Sequence, residues 1–299
     1  MKRIPLLLAV LSLVGCGDAP ESGGGTPDAA VAAPQPVVED TRLADALAAR
    51  PEEVRARYVY RHPKETLEFF GIEPGMTVVE ALPGGGWYSK ILIDYLGSDG
   101  HLIGADYSLS MYPLFGFFNA EMLEAKKTWV EDWIKEANGW RKEDDAMVSA
   151  FAFGSMPEEF RGRADAVLFI RALHNLNRFE KDGGFLTSAL QDAHDALKPG
   201  GTLGIVQHQA RDEMPDEWAD GSNGYLKKAA LIATLEAAGF EFLSESDLNA
   251  NPKDQPTADD IVWRLPPTLA TSAEDASLKE QMLAIGESNR MTLKFRKRD

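Results

Sequence analysis

The sequence predicts an α/β fold in which a parallel β-sheet is covered by helices on both faces. β-rich runs alternate with helical periodicity at short intervals between about residues 76 and 207, and the first run leads through a glycine-rich loop into a helix. Such alternation favours parallel strands, because the helix in each crossover returns the chain to the same edge of the sheet. The chain has 299 residues with 44% hydrophobic content, which is sufficient for one sizeable core.

The first fifteen residues have the pattern of an export signal. Lys2 and Arg3 precede an apolar run over residues 4–14, which is too short to span a bilayer as a mature helix. Residues 13–16, Leu-Val-Gly-Cys, resemble the bacterial lipobox. The resemblance implies that a signal peptide of residues 1–15 is removed and that Cys16 carries a diacylglycerol anchor. The alternative is an ordinary secretory signal with an incidental cysteine.

Residues 16–40 predict a flexible linker between the lipidated Cys16 and the folded part of the chain. Glycine and proline are frequent in this segment, and large apolar residues are almost absent from it. We therefore expect one folded domain over residues 41–299, held at the periplasmic face of a bacterial envelope membrane through the lipid alone. Gly17 stands where an aspartate retains some lipoproteins at the inner membrane, so the outer membrane is favoured.

The net charge argues against anionic binding partners, and the cysteine count excludes stabilisation by an internal disulfide. A formal net charge of −16 argues against binding to nucleic acid or to an anionic lipid surface, because both would repel the chain. Solubility outside the cytoplasm is the simplest explanation of such a charge. Cys16 is the one cysteine of the sequence, so the chain has no internal disulfide and its stability must come from a hydrophobic core.

The folded domain begins with a helical region over about residues 41–71. We predict helices over residues 43–48, 52–60 and 62–70. Pro51 stands where a first helical turn tolerates proline, and Gly71 is a typical residue just after a helix end. The apolar residues of the third helix recur on one side, which favours packing of that side against a core.

After the Pro74-Gly75 turn the hydrophobic period changes to that of strands. We predict strands over residues 76–81, 102–106, 146–150, 164–170 and 202–207, and helices over residues 87–96, 120–137 and 185–197. Gly97 ends the first of these helices. In the second, Trp129 and Trp133 recur at the four-residue spacing of one helix face.

The C-terminal part carries two further candidate strands. Residues 240–244 follow a helix that ends at Gly239, and residues 291–296 alternate apolar and basic side chains. Between them, residues 261–284 have the composition of an insertion. Their place in the fold, and the role of residues 266–286, stay open at this point.

Two motifs resemble those of class I S-adenosylmethionine-dependent methyltransferases. Residues 78–86, VVEALPGGG, are similar to the first motif of that superfamily, and residues 197–203, LKPGGTL, are similar to its turn before strand five. Residues 60–63, 69–72 and 83–88 also resemble a bacterial group of predicted exported methyltransferases. The resemblance implies a Rossmann-like, doubly wound sheet of seven strands, mostly parallel, whose last two strands form an antiparallel pair. It also implies methyl transfer from S-adenosylmethionine to an unknown small-molecule or envelope acceptor.

The resemblance assigns a cofactor site to the ends of the first two strands. It implies that Gly84, Gly85 and Gly86 form the loop against the cofactor, where a β-carbon would collide with the ligand. Glu80 would accept a hydrogen bond from the cofactor ammonium, or instead cap the following turn. Asp106 would accept both ribose hydroxyls, a role that recurs in dinucleotide folds, or instead cap its own turn.

Two aromatic residues and one departure complete the predicted cofactor site. Trp87 and Tyr107 are candidate flat walls for the ligand, although each is equally suited to core packing. The family pattern has a glycine where this sequence has Leu82. A branched side chain at this position narrows the space beside the cofactor.

His174 is the candidate catalytic base. It follows the fourth predicted strand, at the sheet edge where substrates bind, and an imidazole near its ordinary pKa accepts a proton as the methyl group moves. The alternative is a histidine that fixes the loop by hydrogen bonds. His208, and His62 with Tyr60, are weaker candidates. The five histidines lack metal-ligand spacing, so we expect no metal site.

Three functions from different classes remain open. The motifs favour a methyltransferase-like lipoprotein. A non-catalytic binding lipoprotein that keeps the fold is the main alternative, since S-adenosylmethionine is made in the cytosol. A nicotinamide-dependent oxidoreductase fits the glycine loop loosely, but Ser89 stands where the third glycine of its motif is expected.

Overall fold

The computed structural model describes residues 41–298 as one compact unit. The predicted signal peptide, the lipidation of Cys16 and the linker to residue 40 lie outside the described residues. Within residues 41–298, seven strands form a single sheet in the order β3-β2-β1-β4-β5-β7-β6. The strands are β1 Thr77–Ala81, β2 His101–Asp106, β3 Met147–Ala152, β4 Ala164–Ile170, β5 Leu197–His208, β6 Phe240–Ser246 and β7 Arg290–Lys297.

The pairing of these strands confirms the expected fold class. Strands β1 to β5 pair in parallel, with Val79 opposite Ile103 on one side and opposite Val167 on the other. Strand β7 runs antiparallel to both β5 and β6. The fold is therefore a doubly wound sheet of seven strands with an antiparallel C-terminal pair, as the motifs of the sequence imply.

The helices cover both faces of the sheet. They are α1 Arg42–Ala48, α2 Glu52–Arg55, α3 Tyr58–Arg61, α4 Pro63–Phe70, α5 Ser89–Leu96, α6 Ala120–Lys126, α7 Trp129–Trp140, α8 Leu173–Arg178, α9 Glu180–Gly183, α10 Phe185–Ala196, α11 Lys228–Ala237 and α12 Ala276–Ile285. Short 3-10 helices lie at Tyr112–Phe115, Glu158–Phe160 and Val262–Arg264. In this part of the chain, no helix is both long enough and apolar enough to cross a membrane.

Three predicted helices differ from the observed ones. The helix predicted over residues 120–137 is two helices, α6 and α7, because the chain turns at Thr128, whose hydroxyl bonds the Asp132 carboxylate at 2.7 Å. The helix predicted over residues 52–60 is also two short helices, α2 and α3. The helix predicted from Trp87 starts at Ser89, because residues before it remain in the glycine turn.

The core consists of one hydrophobic cluster on each face of the sheet. Alternate residues of each strand point to opposite faces, so Val78 packs with helices α1, α4, α5 and α7, whereas its neighbour Val79 packs with α8, α10 and α11. Both side chains are fully buried. The carboxyl ends of the parallel strands, where the candidate site residues lie, are therefore held from two sides.

Candidate functional site

The glycine loop after β1 adopts a left-handed backbone at alternate positions. The angle φ is +55° at Leu82, +54° at Gly84 and +77° at Gly86. Leu82 thus has the conformation that a glycine adopts without strain, although its β-carbon makes this conformation costly. The backbone keeps the geometry of a glycine loop at the position where the sequence departs from the family pattern.

The three loop glycines have different surroundings. A β-carbon on Gly85 would meet no atom within 4 Å, and one on Gly84 would meet just the Leu82 carbonyl oxygen at 3.9 Å. A β-carbon on Gly86 would instead overlap the indole ring of Trp140. The space expected for a ligand is therefore open at Gly84 and Gly85, whereas at Gly86 it is filled by a side chain of α7.

Glu80 is a buried carboxyl group directly beside this loop. Its side chain is 5% exposed, and its Oε2 accepts a hydrogen bond of 2.6 Å from the Ser89 hydroxyl at the start of α5. Burial raises the pKa of Glu80 to about 7, and the hydrogen bond from Ser89 opposes this rise. The contact resembles the turn-capping alternative, and it leaves a carboxyl group poised to change its charge near neutral pH.

Asp106 stands at the last position of β2, as expected, and its carboxylate already has partners. Oδ1 accepts the Tyr107 backbone N–H at 2.8 Å, and Oδ2 lies 3.5 Å from the Lys126 ammonium of α6. The same ammonium lies 4.6 Å from the centre of the Tyr112 ring. A ligand hydroxyl that bonds Asp106 must therefore share the carboxylate with Lys126.

The structure separates the two predicted aromatic walls. Trp87 packs on the face of α5, where its ring lies 4.5 Å below the Arg61 guanidinium and 5.9 Å from the Tyr58 ring. Tyr107 lies on the opposite face and accepts a hydrogen bond of 2.9 Å from the Asn175 amide. It lines a cavity of about 720 Å³ beyond the ends of β2 and β3, together with Ala152. Tyr107 thus borders open space, whereas Trp87 serves packing.

A second, smaller cavity of about 230 Å³ lies where the strand order reverses, between β1 and β4. Its wall includes Leu82 just after β1, Arg171 and His174 after β4, and His208 at the end of β5. Ligands of open α/β sheets bind at such a switch point, outside the carboxyl ends of the strands. Arg171 also has a left-handed backbone, with φ at +60°. Two residues with a left-handed backbone, Leu82 and Arg171, therefore line this cavity, and such strain is typical of a functional site.

His174 lies in the smaller cavity, but its proton affinity differs from expectation. Its side chain is 6% exposed and Nδ1 is buried without a hydrogen-bond partner. Burial lowers the pKa of His174 to about 4, and the charge of Arg171 adds to this effect. The expectation of an ordinary pKa is therefore wrong, because the sequence gives no measure of burial. The imidazole is neutral throughout the physiological pH range.

Of the weaker candidates for the catalytic base, His208 lies beside His174 and His62 does not. The His208 ring centre lies 5.6 Å from that of His174, and its Nδ1 lies 2.6 Å from the Ser288 hydroxyl. His62 is the left-handed residue before α4 and is part of neither cavity wall. The Tyr60 side chain is exposed and packs against Gly286. His208 therefore belongs to the site with His174, whereas His62 and Tyr60 do not.

The insertion that sequence reasoning could not place lines the smaller cavity. Trp263 and Thr268 of the insertion contribute to its wall, as does Glu287 just before β7. The loop over residues 211–225 forms its own apolar cluster with the Val262 side chain, and Gly221 packs directly on the carbonyl group of His174. Sequence reasoning missed Arg171, Trp263 and Glu287 as site residues. The adjacency of Arg171 to His174 was the one available signal.

Comparison with solved structures identifies the fold. One similar structure is a complex of the Trm112 methyltransferase activator with a proposed methyltransferase from Haloferax volcanii. The matched sequence is 18% identical to this chain, the match covers 88% of this chain and all of that one, and the TM-score is 0.50. A geranyl diphosphate methyltransferase in complex with S-adenosylmethionine is 14% identical, covering 87% of this chain and 92% of that one, with a TM-score of 0.50. The chain has the class I methyltransferase fold.

A third structure of this fold is the geranyl diphosphate C-methyltransferase of Streptomyces coelicolor A3(2). It is 14% identical, covering 85% of this chain and 87% of that one, with a TM-score of 0.50. No protein-family model matches the chain, and no curated protein matches it in sequence. At such identities the likeness concerns the fold, and function must be argued from the site.

Proposed function

We propose that this protein is an S-adenosylmethionine-dependent methyltransferase that acts on a small-molecule or envelope acceptor. The observation that supports it best is the loop after β1, which keeps a left-handed backbone at residues 82, 84 and 86 in a sheet of methyltransferase topology. The open space over Gly84 and Gly85 fits a ligand that approaches the backbone closely. The solved methyltransferases with this fold, one of them bound to S-adenosylmethionine, lend further support.

The residues at the strand ends define how the cofactor would be held. Glu80 lies beside the loop and is suited to the cofactor ammonium, and Asp106 is suited to the ribose hydroxyls once Lys126 shares its carboxylate. When bound, the cofactor supplies an electrophilic methyl group. Tyr107 borders the adjoining larger cavity and offers an aromatic surface there.

His174 is the proposed general base for the acceptor. Its pKa of about 4 keeps the imidazole neutral, so it is always able to accept a proton, although it is a weaker base than an ordinary histidine. Nδ1 is buried and has no hydrogen-bond partner, so the acceptor would have to reach the ring from the cavity that His174 lines. The acceptor hydroxyl, thiol or amine would lose its proton to His174 as it takes the methyl group.

Calorimetric titration of the full-length chain in mild detergent tests the cofactor assignment. We expect binding of S-adenosylmethionine and S-adenosylhomocysteine and no binding of NAD. Asp106→Asn removes one charge with little change of shape and should weaken binding at least about tenfold, the scale of a lost charge-assisted hydrogen bond. Asp99→Asn, in the exposed turn before β2, is the matched control. If neither S-adenosylmethionine nor S-adenosylhomocysteine binds, the methyltransferase assignment is excluded.

A non-catalytic binding protein is the second candidate, and two observations favour it. Leu82 places a branched side chain in the loop, and Lys126 lies against the Asp106 carboxylate. Both reduce the room and the hydrogen-bonding capacity available to a nucleotide-like ligand. Binding of S-adenosylhomocysteine with no methyl transfer to any extract of the envelope would support this candidate.

We also propose that the protein is a lipoprotein at the periplasmic face of the envelope, on the evidence of the N-terminal sequence. Mass spectrometry of the mature N-terminus and membrane fractionation test this proposal. We expect a lipid-modified Cys16 in the wild type. Cys16→Ser should leave the protein unprocessed, since the lipid is required before cleavage at a lipobox. Unmodified Cys16 in a fully processed chain would contradict it.

A further inference from the structure

A cluster of buried arginines lies behind the smaller cavity. Arg61 and Arg290 are 4% and 3% exposed, and Arg57 is about one-quarter exposed. Arg61 Nε and Arg290 Nη1 each lie 3.2 Å from a carboxylate oxygen of Glu287, and Arg57 also pairs with this group. Among residues 41–298, Glu287 is the one carboxylate that ion-pairs with these arginines. Three guanidinium groups therefore share a single negative charge.

Arg171 adds a fourth positive charge on the side of the cavity. It lines the cavity directly, and its Nε is buried without a hydrogen-bond partner. No salt bridge in the described part of the chain involves it. Its pKa is lowered to about 10, first by burial and then by the charge of Arg290. The Arg171 side chain is half-buried. A guanidinium withdrawn from solvent normally has a carboxylate partner or a full set of acceptors, and Arg171 has no salt bridge of its own.

The excess of positive charge is unusual in this protein. The whole chain carries a formal net charge of −16, so arginines could have been paired with local carboxylates at low cost. Instead, Arg171 is held in a left-handed backbone conformation at the end of β4, which a non-glycine residue adopts at an energetic cost. Four guanidinium groups around one carboxylate, together with backbone strain at Arg171, indicate a site that a ligand completes.

We propose that the smaller cavity binds the anionic group of the methyl acceptor, a carboxylate or a phosphate, through the guanidinium of Arg171. This inference rests on the proposed function and names the class of its acceptor. The planar guanidinium donates two parallel hydrogen bonds to an oxyanion, and the other arginines add a positive field behind it. Glu287 also attracts Arg171, but its direct ion pairs are with Arg57, Arg61 and Arg290, so one carboxylate is shared among four guanidinium groups.

The shape of the cavity limits what else the acceptor presents there. A volume of about 230 Å³ accommodates a small headgroup and not a complete large metabolite, since typical ligand pockets span about 300–1,000 Å³. The rings of His174, His208 and Trp263 border the same space. An oxyanion bound to Arg171 would place the adjoining atoms of the acceptor beside the proposed base.

Thermal denaturation of the full-length chain in detergent, with and without saturating S-adenosylhomocysteine, tests this site with two simple anions. Inorganic phosphate and acetate are titrated at constant ionic strength in sodium chloride. We expect a saturable rise in Tm with at least one of them, and at least tenfold weaker binding in Arg171→Gln. Arg163→Gln is the matched control, because Arg163 is exposed at the opposite end of β4. A larger effect of phosphate indicates a phosphate-bearing acceptor, and a larger effect of acetate a carboxylate.

The stability of the variant separates binding from structure. Removing the Arg171 charge relieves its repulsion with Arg290 and Arg57, so Arg171→Gln should have the same Tm as the wild type or a higher one without anion. A lower Tm, or unchanged anion binding, would overturn the proposal. Competition between the anions and S-adenosylhomocysteine would also overturn it, because the cavity would then belong to the cofactor. Absence of S-adenosylhomocysteine binding refutes the proposed function alone, since the anion titration has its own readout.

Discussion

Glu80 combines burial with a carboxyl group beside the glycine loop, and its replacement tests the electrostatics of the site. The pKa of Glu80 is raised to about 7 from an ordinary value of 4.5, chiefly by burial. A folded-state pKa above the unfolded value means that the folded protein holds the proton more tightly. Glu80 therefore favours folding below about pH 4.5, and this contribution is lost as the pH rises through about 7.

The size of this effect follows from the two pKa values. At about 1.4 kcal/mol per pH unit, the interval between 4.5 and about 7 corresponds to about 3 kcal/mol of folding free energy. Glu80→Gln stays neutral at every pH and still offers an oxygen to the Ser89 hydroxyl. We therefore compare the free energy of unfolding of Glu80→Gln with that of the wild type at each pH. The variant should gain up to about 3 kcal/mol more over the wild type at pH 8 than at pH 4.5. For a domain of this size the difference amounts to roughly 6–12 °C in Tm.

Urea unfolding of wild type and Glu80→Gln at pH 4.5 and pH 8 measures this difference. Glu73→Gln is the control, because Glu73 is exposed on the turn before β1 and should behave as wild type at both values. If Glu80→Gln and the wild type have parallel pH dependences, ionisation of Glu80 does not destabilise the fold and the reasoning is refuted. The same variant should bind S-adenosylhomocysteine more weakly if Glu80 accepts the cofactor ammonium.

Four further substitutions test the loop and the C-terminal packing. Gly86→Ala should lower the free energy of unfolding by about 1–3 kcal/mol, as overpacking does, whereas Gly85→Ala, which meets open space, should cost less than half as much in the same urea titration. Leu82→Gly should tighten S-adenosylhomocysteine binding severalfold by calorimetry, because glycine adopts the left-handed backbone without strain and leaves more room beside the ligand. Asp254→Asn breaks a fully buried ion pair of 2.7 Å with Arg264 and should lower the free energy of unfolding by about 3 kcal/mol; an unchanged midpoint would contradict this.

Much of the fold was predictable because it depends on local pattern. The strands near residues 77–81 and 164–170 follow from short apolar runs bounded by turns, and the antiparallel C-terminal pair follows from resemblance to a known family. The break at Thr128 was not predictable, because the apolar spacing of one helix face continues across it, from Met122 and Ala125 to Trp129 and Trp133. Helix α7 needs its own orientation to place Trp140 against Gly86, and that is a tertiary requirement.

The candidate site was predictable only in part. Glu80, Asp106 and His174 stand at strand ends, and their positions follow from the order of elements along the chain. The arginine cluster joins residues 57 and 61 to residues 171, 287 and 290, and no sequence pattern links positions so far apart. The conformation of Leu82 was likewise hidden, because a leucine does not signal a left-handed backbone.

The arginines and the histidines of the smaller cavity are electrostatically coupled. The pKa of His208 is lowered well below its ordinary value, first by burial and then by His174, Arg171 and Arg290. An anion on Arg171 would oppose the arginine contribution, because a negative charge stabilises an imidazolium. The proposed acceptor would thereby raise the proton affinity of His174 at the moment when a base is needed. A base that is weak in the empty site and stronger in the occupied one is consistent with the low pKa of His174, and it links acceptor binding to the chemical step.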